Sequence, residues 1–536
     1  MSDTLETKPV KVATSRGGMV ATAFSHATEA GAEMLRNAGN AVDAAVAAAF
    51  ALGVCEPQAS GIGGQTMMLI STGERTVALD GSSRAPSLAS NDSISGDGRL
   101  VGYRATTVPS TPATLAYAQK RWGSLPLARV LEPAIRIATE GYRITDLQNR
   151  LQERELESFS RVPSGSGARY FLSGGSPWPV GALFKQPDLA ETLRRLAEHG
   201  VEDFYQGEIA RRIDADMRAN DGLLRLDDLA LIPWPVLRRT IRSHFRGFRV
   251  HTMPPPGAGR ALALALNMID QLEPNFFRHL DPARYQVLAE VFRKAMRVRN
   301  DSPFDPNLYA QVDFKQMLSR KFARGSLRRI LKGVDRGLLE EMQPARERSG
   351  ETTHLSTIDR NGMAVSLTQS IERVYGSKAA AAGLGFLYNN YVMDFQFSDP
   401  AHPFYLRPNS VPWATVAPTI LTRDEKVWMA VGSPGSERIF STITQFLTHV
   451  IDGGMNLEDA MRAPRMHCSS GGKISMEANR FDPRIVEHLE AQGYKLDRLE
   501  DYAFYLGAIH AVTRADDGTC HGVAEARRDG SAGGPA

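Results

Sequence analysis

The stretch Glu351-Thr352-Thr353-His354-Leu355-Ser356-Thr357-Ile358-Asp359-Arg360-Asn361-Gly362-Met363-Ala364-Val365-Ser366-Leu367-Thr368-Gln369-Ser370 decides the fold. Thr353 to Ile358 and Met363 to Ser370 are rich in β-branched residues, and Asp359-Arg360-Asn361-Gly362 puts an Asn-Gly turn between them, so the stretch reads as a β-hairpin. Upstream, residues 343–351 are polar and poor in apolar side chains, which reads as an exposed loop. Adjacent threonines therefore stand where a polar linker becomes a strand, a place where a chain can cut itself. If the peptide bond before Thr352 breaks, that residue carries both a hydroxyl and a free α-amine. An α-amine of ordinary pKa, about 7.7–8.0, is partly neutral near pH 7 and can accept the hydroxyl's proton, turning a poor nucleophile into a useful one. Thr-Thr-His alone reads as the opening of an ordinary strand, and only the wider sequence reverses that reading.

Four blocks carry that decision. They are Glu29-Ala30-Gly31 through Gly39-Asn40-Ala41-Val42-Asp43-Ala44-Ala45; Glu56-Pro57 through Ser60-Gly61-Ile62-Gly63-Gly64; Thr352-Thr353-His354 with its Asp359–Gly362 turn; and Gly432-Ser433-Pro434-Gly435-Ser436 followed by Arg438-Ile439. In order and spacing the chain resembles the γ-glutamyltranspeptidase family of N-terminal-nucleophile hydrolases, from about Gly17 to Arg527-Arg528-Asp529-Gly530. The resemblance implies an α/β (α+β) fold, a four-layer αββα sandwich of two mostly antiparallel sheets between helical layers. It also implies self-cleavage into a large subunit, 1–351, and a small subunit, 352–536, that stay together as one globular unit.

On this resemblance Thr352 is the nucleophile of both maturation and catalysis, and backbone N–H groups around Gly435 and Ser436 stabilise the oxyanion. Ser436 replaces the family's second glycine, and Ser370 falls where the family has a helper threonine. Thr415 fills the second of two positions usually held by serines, while Ala414 lacks the first hydroxyl. Asp394 matches the carboxylate that holds a substrate α-ammonium. The arginine that grips the α-carboxylate appears here as Ser82, a loss of roughly 1.5–3 kcal/mol if uncompensated. Arg84 lies two residues further on and is a candidate substitute. Glu372 stands where an asparagine is common and repels a carboxylate, and Tyr391 adds bulk where a glutamine is common. These changes point away from an ordinary γ-glutamyl donor and toward a short acyl amide.

Composition sets the outer bounds. The 536 residues contain no low-complexity linker, hydrophobic residues make up 42% and charged residues 23%, and a net charge of +3 does not imply nucleic acid. The Arg- and Lys-rich run 320–336 is broken by Leu327, Ile330 and Leu331, as a solvated helix face is. The start, Met1 to Lys8, has acidic residues and no apolar core, so the expected compartment is the cytoplasm and no membrane partner is expected. Cys55, Cys468 and Cys520 lack metal-ligand spacing; no metal and no organic cofactor are expected, and the partners are a small-molecule amide and the two halves of the precursor.

Competing motifs are weak. Gly257-Ala258-Gly259 opens a helix, but Leu262 interrupts a dinucleotide fingerprint, and Gly471-Gly472-Lys473 lacks the spaced glycine of a phosphate loop. His354 reads as a structural imidazole, since no other feature supports a Ser/His pair. Alanine-rich helices are expected over Ala27–Asn37, closed by Gly39, and over Ala41–Leu52, with Gly61 to Gly64 as a tight loop. Residues 110–300 read as mainly helical, and strands dominate from Thr352 onward.

The function expected is a self-processing amidohydrolase or acyltransferase; the alternatives are a small-amide hydrolase with little γ-glutamyl transfer and an unprocessed binding or scaffold member. Purified protein should resolve on a denaturing gel into fragments of about 38 and 20 kDa, taking mass as proportional to length. A single uncut chain that is nevertheless active excludes the cut before Thr352.

Overall fold

In the strand Gln65–Ser71 every residue is buried, yet Met68 and Ile70 join one apolar cluster while Met67 and Leu69 join another. Successive side chains of a strand point to opposite faces, so this strand is covered on both sides. In the computed structural model, which describes residues 11–94, 96–278, 281–303, 316–333 and 350–535, the central strands of the sheet are covered in the same way, while its edge strand Val236–Arg239 is largely exposed. Its seven strands run Ser531–Gly533, Gly18–Thr22, Gly350–Asp359, Ala364–Arg373, Gln65–Ser71, Thr76–Gly81 and Val236–Arg239, every neighbouring pair antiparallel. A second antiparallel sheet stacks on it, in the order Val12–Ser15, Cys520–Ala524, His510–Arg514, Lys426–Gly432, Thr419–Arg423, Phe248–Thr252 and Ile241–Phe245. Hydrogen bonds cross between the sheets, from Ser356 Oγ to the His510 carbonyl and from Ser366 Oγ to the Val431 carbonyl, each at 3.0 Å.

Helices cover both outer faces. Ser25–Arg36, Ala41–Cys55, Leu127–Glu140 and Pro187–His199 lie over the first sheet, and Gly259–Ile269, Pro282–Asp301, Ile439–Leu447 and Pro483–Ala491 over the second. The expected four layers are thus present. Each sheet takes strands from both sides of the Glu351–Thr352 bond, so the two halves form one unit.

The helix Ala41–Cys55 is almost wholly buried, which its alanines permit, and Asn40 caps it in a capping box with Asp43. Asp359, from the hairpin turn, accepts from the Ala41 N–H at 3.1 Å and ties the hairpin to the start of that helix. The left-handed residue after the first helix is Ala38, with φ 62°, rather than Gly39, whose N–H closes onto the Met34 carbonyl. Residues 110–300 are mainly helical as expected, and the strand Val236–Arg239 and the hairpin Ile241–Phe245/Phe248–Thr252 lie among the helices. The polar linker 343–349, the segment Met1 to Lys8 and residues 334–336 of the basic run lie outside the described residues.

An ionic cluster underlies the joint between the layers. Arg527 donates to Glu477 at 2.6 and 2.7 Å and to Glu525 at 3.0 Å, and Arg465 pairs with Glu525 at 2.7 Å. Burial alone would raise the Glu525 pKa, but the two guanidiniums hold it down to about 2. Glu56, just past the buried helix, has the opposite balance. Burial pushes its carboxyl up to about 8, against the pull of Arg528 and of a hydrogen bond from Thr353.

A carboxyl whose pKa is raised on folding stabilises the folded state below its ordinary value, here 4.5, and loses that contribution as pH rises to about 8. In a Thr352→Ala chain, kept uncut, Glu56→Gln should therefore leave the urea midpoint nearly unchanged at pH 4.5 and raise it progressively above that. The gap should widen by about 1.4 kcal/mol per pH unit across the window. A gap independent of pH would show that Glu56 is ionised in the fold.

Candidate active site

Thr352 lies in the strand Gly350–Asp359, which begins two residues before the threonine rather than one after it. Its pairing with Ala364–Arg373 slips at this point: Thr353 faces Gln369 and Glu351 faces Glu372, so Thr352 stands opposite two residues, Ser370 and Ile371. Such a bulge bends the ladder and re-aims side chains. Here it brings three oxygens together. The Thr352 hydroxyl donates to Ser370 Oγ at 3.3 Å, Ser370 Oγ–H donates to the Glu351 carbonyl at 2.6 Å, and the Glu372 N–H donates to Ser370 Oγ at 2.8 Å. The carbonyl so bound is that of the bond expected to break. Ser370 comes this close because Gly64 packs on its backbone, where a β-carbon would collide with the Ser370 carbonyl.

The second sheet brings the other wall. Its strand Lys426–Gly432 runs into Ser433-Pro434-Gly435-Ser436, where Gly435 has φ 123° and Ser436 has φ 52°. The left-handed region is costly for serine, and Ser436 is held there beside the Glu351–Thr352 bond: a β-carbon at Gly350 would lie 3.1 Å from Ser436 Oγ and 2.9 Å from Glu372 Oε1. Arg438, at the end of the same turn, donates to the Tyr505 carbonyl at 3.1 Å and stacks on the Tyr505 ring.

Tyr391 and Asp394 come from the short turn Tyr391–Asp394. Asn390 docks that turn on the bulged strand, its N–H on the Ile371 carbonyl at 3.2 Å and its Oδ1 accepting from the Arg373 N–H at 3.0 Å. The Tyr391 hydroxyl lies beside Ser370 and Gln65 and faces Glu372 and Asp394. Burial, then the Glu372 charge, pushes its pKa well above the usual phenol value. Thr352, Ser370, Glu372, Tyr391, Asp394, Gly435 and Ser436 thus converge on one region.

Three of the expected residues are placed differently. The Ser82 hydroxyl is satisfied by Asp80 at 2.5 Å, and Asp80 is itself paired with Arg238 at 2.7 Å. The strand Thr76–Gly81 ends before Arg84, so strand periodicity does not carry Arg84 back to the site. Its guanidinium donates to the Asn409 carbonyl at 3.2 Å and lines a cavity of about 330 Å³ with Trp234 and Pro408. Thr415, half-buried, lies in the segment whose Ala414 carbonyl accepts from Arg299 at 2.9 Å.

His354 is structural, as read. Its two ring nitrogens bond Thr368 Oγ at 2.8 Å and Ser356 Oγ at 3.0 Å, and burial holds its pKa well below 6.5. Arg528 was missed. It forms a buried ion pair with the Glu351 carboxylate and donates to the Thr352 carbonyl at 3.4 Å. The available signal was two adjacent arginines near the end of the chain, of which Arg527 is consumed by the ionic cluster.

Comparison with known proteins agrees with this geometry. The family model described as Gamma-glutamyltranspeptidase matches residues 27–534. The glutathione hydrolase proenzyme of Escherichia coli (strain K12) is 30% identical, over 96% of this chain and 91% of its own. The acylase ACY 1 proenzyme of Pseudomonas sp. (strain V22) is 31% identical, over 98% and 95%. Among solved structures, cephalosporin acylase from Bacillus halodurans superposes with a TM-score of 0.87 at 28% identity, over 100% of this chain and 99% of that one. The chain belongs to the γ-glutamyltranspeptidase family, and is a self-processing amidohydrolase and acyltransferase by class.

Proposed function

We propose that the chain cuts itself between Glu351 and Thr352 and then uses Thr352 to hydrolyse a short acyl amide through a threonyl ester. The observation that carries this is the hydrogen-bonded run from Thr352 Oγ through Ser370 Oγ to the Glu351 carbonyl. Ser370 polarises that carbonyl and lies on the path of the Thr352 proton. Attack forms the Oγ–C bond, the C–N bond breaks, and the nitrogen that becomes the Thr352 α-amine takes the proton; water then cleaves the ester. In turnover the freed α-amine accepts the Thr352 proton and passes it to the leaving amine, while N–H groups of the Gly435–Ser436 turn stabilise the oxyanion.

Glu372, Asp394 and the bulk of Tyr391 make the acyl pocket anionic and short. With Ser82 engaged by Asp80 and Arg84 turned to Asn409, a donor with a cationic or neutral end suits this pocket better than an α-carboxylate. This is acylase-like behaviour with little γ-glutamyl transfer. Hydrolysis of glutathione is the second reading, favoured by Asp394 and by the glutathione hydrolases among the relatives.

Thr352→Ala should abolish both cutting and turnover, whereas Thr353→Ala should retain most of each. Ser370→Ala should slow processing roughly 10²–10³-fold, the loss typical of one oxyanion donor. Gel densitometry during expression and amide hydrolysis after it check both, and an inversion of the two threonine variants moves the nucleophile by one residue.

Asp394→Ala should raise KM for donors with an ammonium and leave a donor lacking one nearly unaffected. Steady-state kinetics on the matched pair decides this, since equal losses would make Asp394 structural.

A further inference from the structure

The carbonyl attacked during maturation belongs to Glu351, so the surroundings of Glu351 outline an acyl group in position for attack. Two branches leave its α-carbon. The side chain ends on Arg528, each side chain being 1% exposed. The backbone branch leads to Gly350, beside Glu372 Oε1 and Ser436 Oγ. A cation thus waits at one branch and a carboxylate at the other.

Cutting the chain makes Glu351 a chain end, while Arg528 remains with the Thr352 fragment, stacked on Phe504 at 4.1 Å and next to Arg527 in the ionic cluster. Arg528 Nε and Nη2 are buried and have no hydrogen-bond partner among the described residues, so the guanidinium has unused donors even while Glu351 is in place. Leaving a buried cation without its partner is strongly unfavourable, so once Glu351 departs the pocket favours another carboxylate. Two other carboxyls are close. Glu56 is mostly protonated near pH 7 because burial raises its pKa to about 8, and Asp529, also raised by burial, accepts from Thr145 Oγ at 2.7 Å.

We infer that the mature site takes an α-linked donor, an amide of the α-carboxyl group of an acidic L-amino acid with a free ammonium, its side-chain carboxylate on Arg528 and its ammonium toward Glu372. The donor is the chain's own Glu351 without the residues before it. A γ-glutamyl donor matches less well, because both its charges sit on one carbon two methylenes from the scissile carbonyl, whereas here the charged partners diverge from the carbon next to it. The reaction balances as in the preceding section: the donor's C–N bond breaks, the leaving amine takes the Thr352 proton, and water releases the free amino acid. The inference rests on Thr352 as nucleophile.

The test uses the purified, self-cut enzyme with three chromogenic donors: the α-p-nitroanilides of L-glutamate and L-glutamine, and γ-L-glutamyl-p-nitroanilide. The α-glutamate donor should exceed the neutral, isosteric α-glutamine donor at least tenfold in kcat/KM, and should exceed the γ-linked donor. Arg528→Gln, measured on its processed fraction, should bring the two α-donors level. If wild type does not favour glutamate over glutamine, or prefers the γ-linkage, the inference is overturned whether or not the Arg528 variant matures. Mass spectrometry of acid-quenched reactions separates the two levels. An acyl group on a fragment beginning at Thr352 upholds the nucleophile even if the donor preference fails, and absence of that new terminus fells both.

Discussion

One slip in a strand pairing organises the site. In the register that runs from Ile358 opposite Ala364 to Thr353 opposite Gln369, Thr352 falls opposite Ser370, and the slip then adds Ile371 before Glu351 meets Glu372. At this slip one hydroxyl, that of Ser370, bonds both the threonine oxygen and the carbonyl before it. Everything around it serves to hold that slip: Gly64 under Ser370, Asn390 flanking Ile371, and the positive-φ turn Gly435–Ser436 brought in by the second sheet.

The electrostatics of the site divide by strand face. Thr352 and His354 lie on the side toward the second sheet, where hydroxyls and a neutral imidazole meet. Glu351 and Thr353 lie on the other side, with Arg528 and Glu56 under the helical layer. Glu351 is thus anchored by a buried ion pair directly before Thr352. A buried pair adds little net stability, but it fixes where a side chain goes, and here it orients the carbonyl donor of the cut.

The hairpin, its Asn-Gly turn and the helix over Ala41–Leu52 were legible because their signals are local: β-branched residues, a turn dipeptide and an alanine-rich run. The family was legible only from several blocks taken together. The strands Val236–Thr252 escaped notice because arginines and a histidine alternate with their apolar residues, although Ile241, Ser243 and Phe245 point inward in strict period two. Arg528 had no local signal at all, because its meaning lies in Glu351, 177 positions away along the chain.

Both sheets are woven from the two sides of the Glu351–Thr352 bond, and the cut proposed there has a consequence for the life history of the molecule. Before the cut, refolding is an encounter within one chain, with the high effective concentration that a tether provides. After it, the same interleaved strands must find each other as separate molecules, at a rate set by dilution. Maturation thus acts as a ratchet: the protein assembles once as a monomeric folding problem, and its persistence afterwards depends on how slowly the woven sheets come apart.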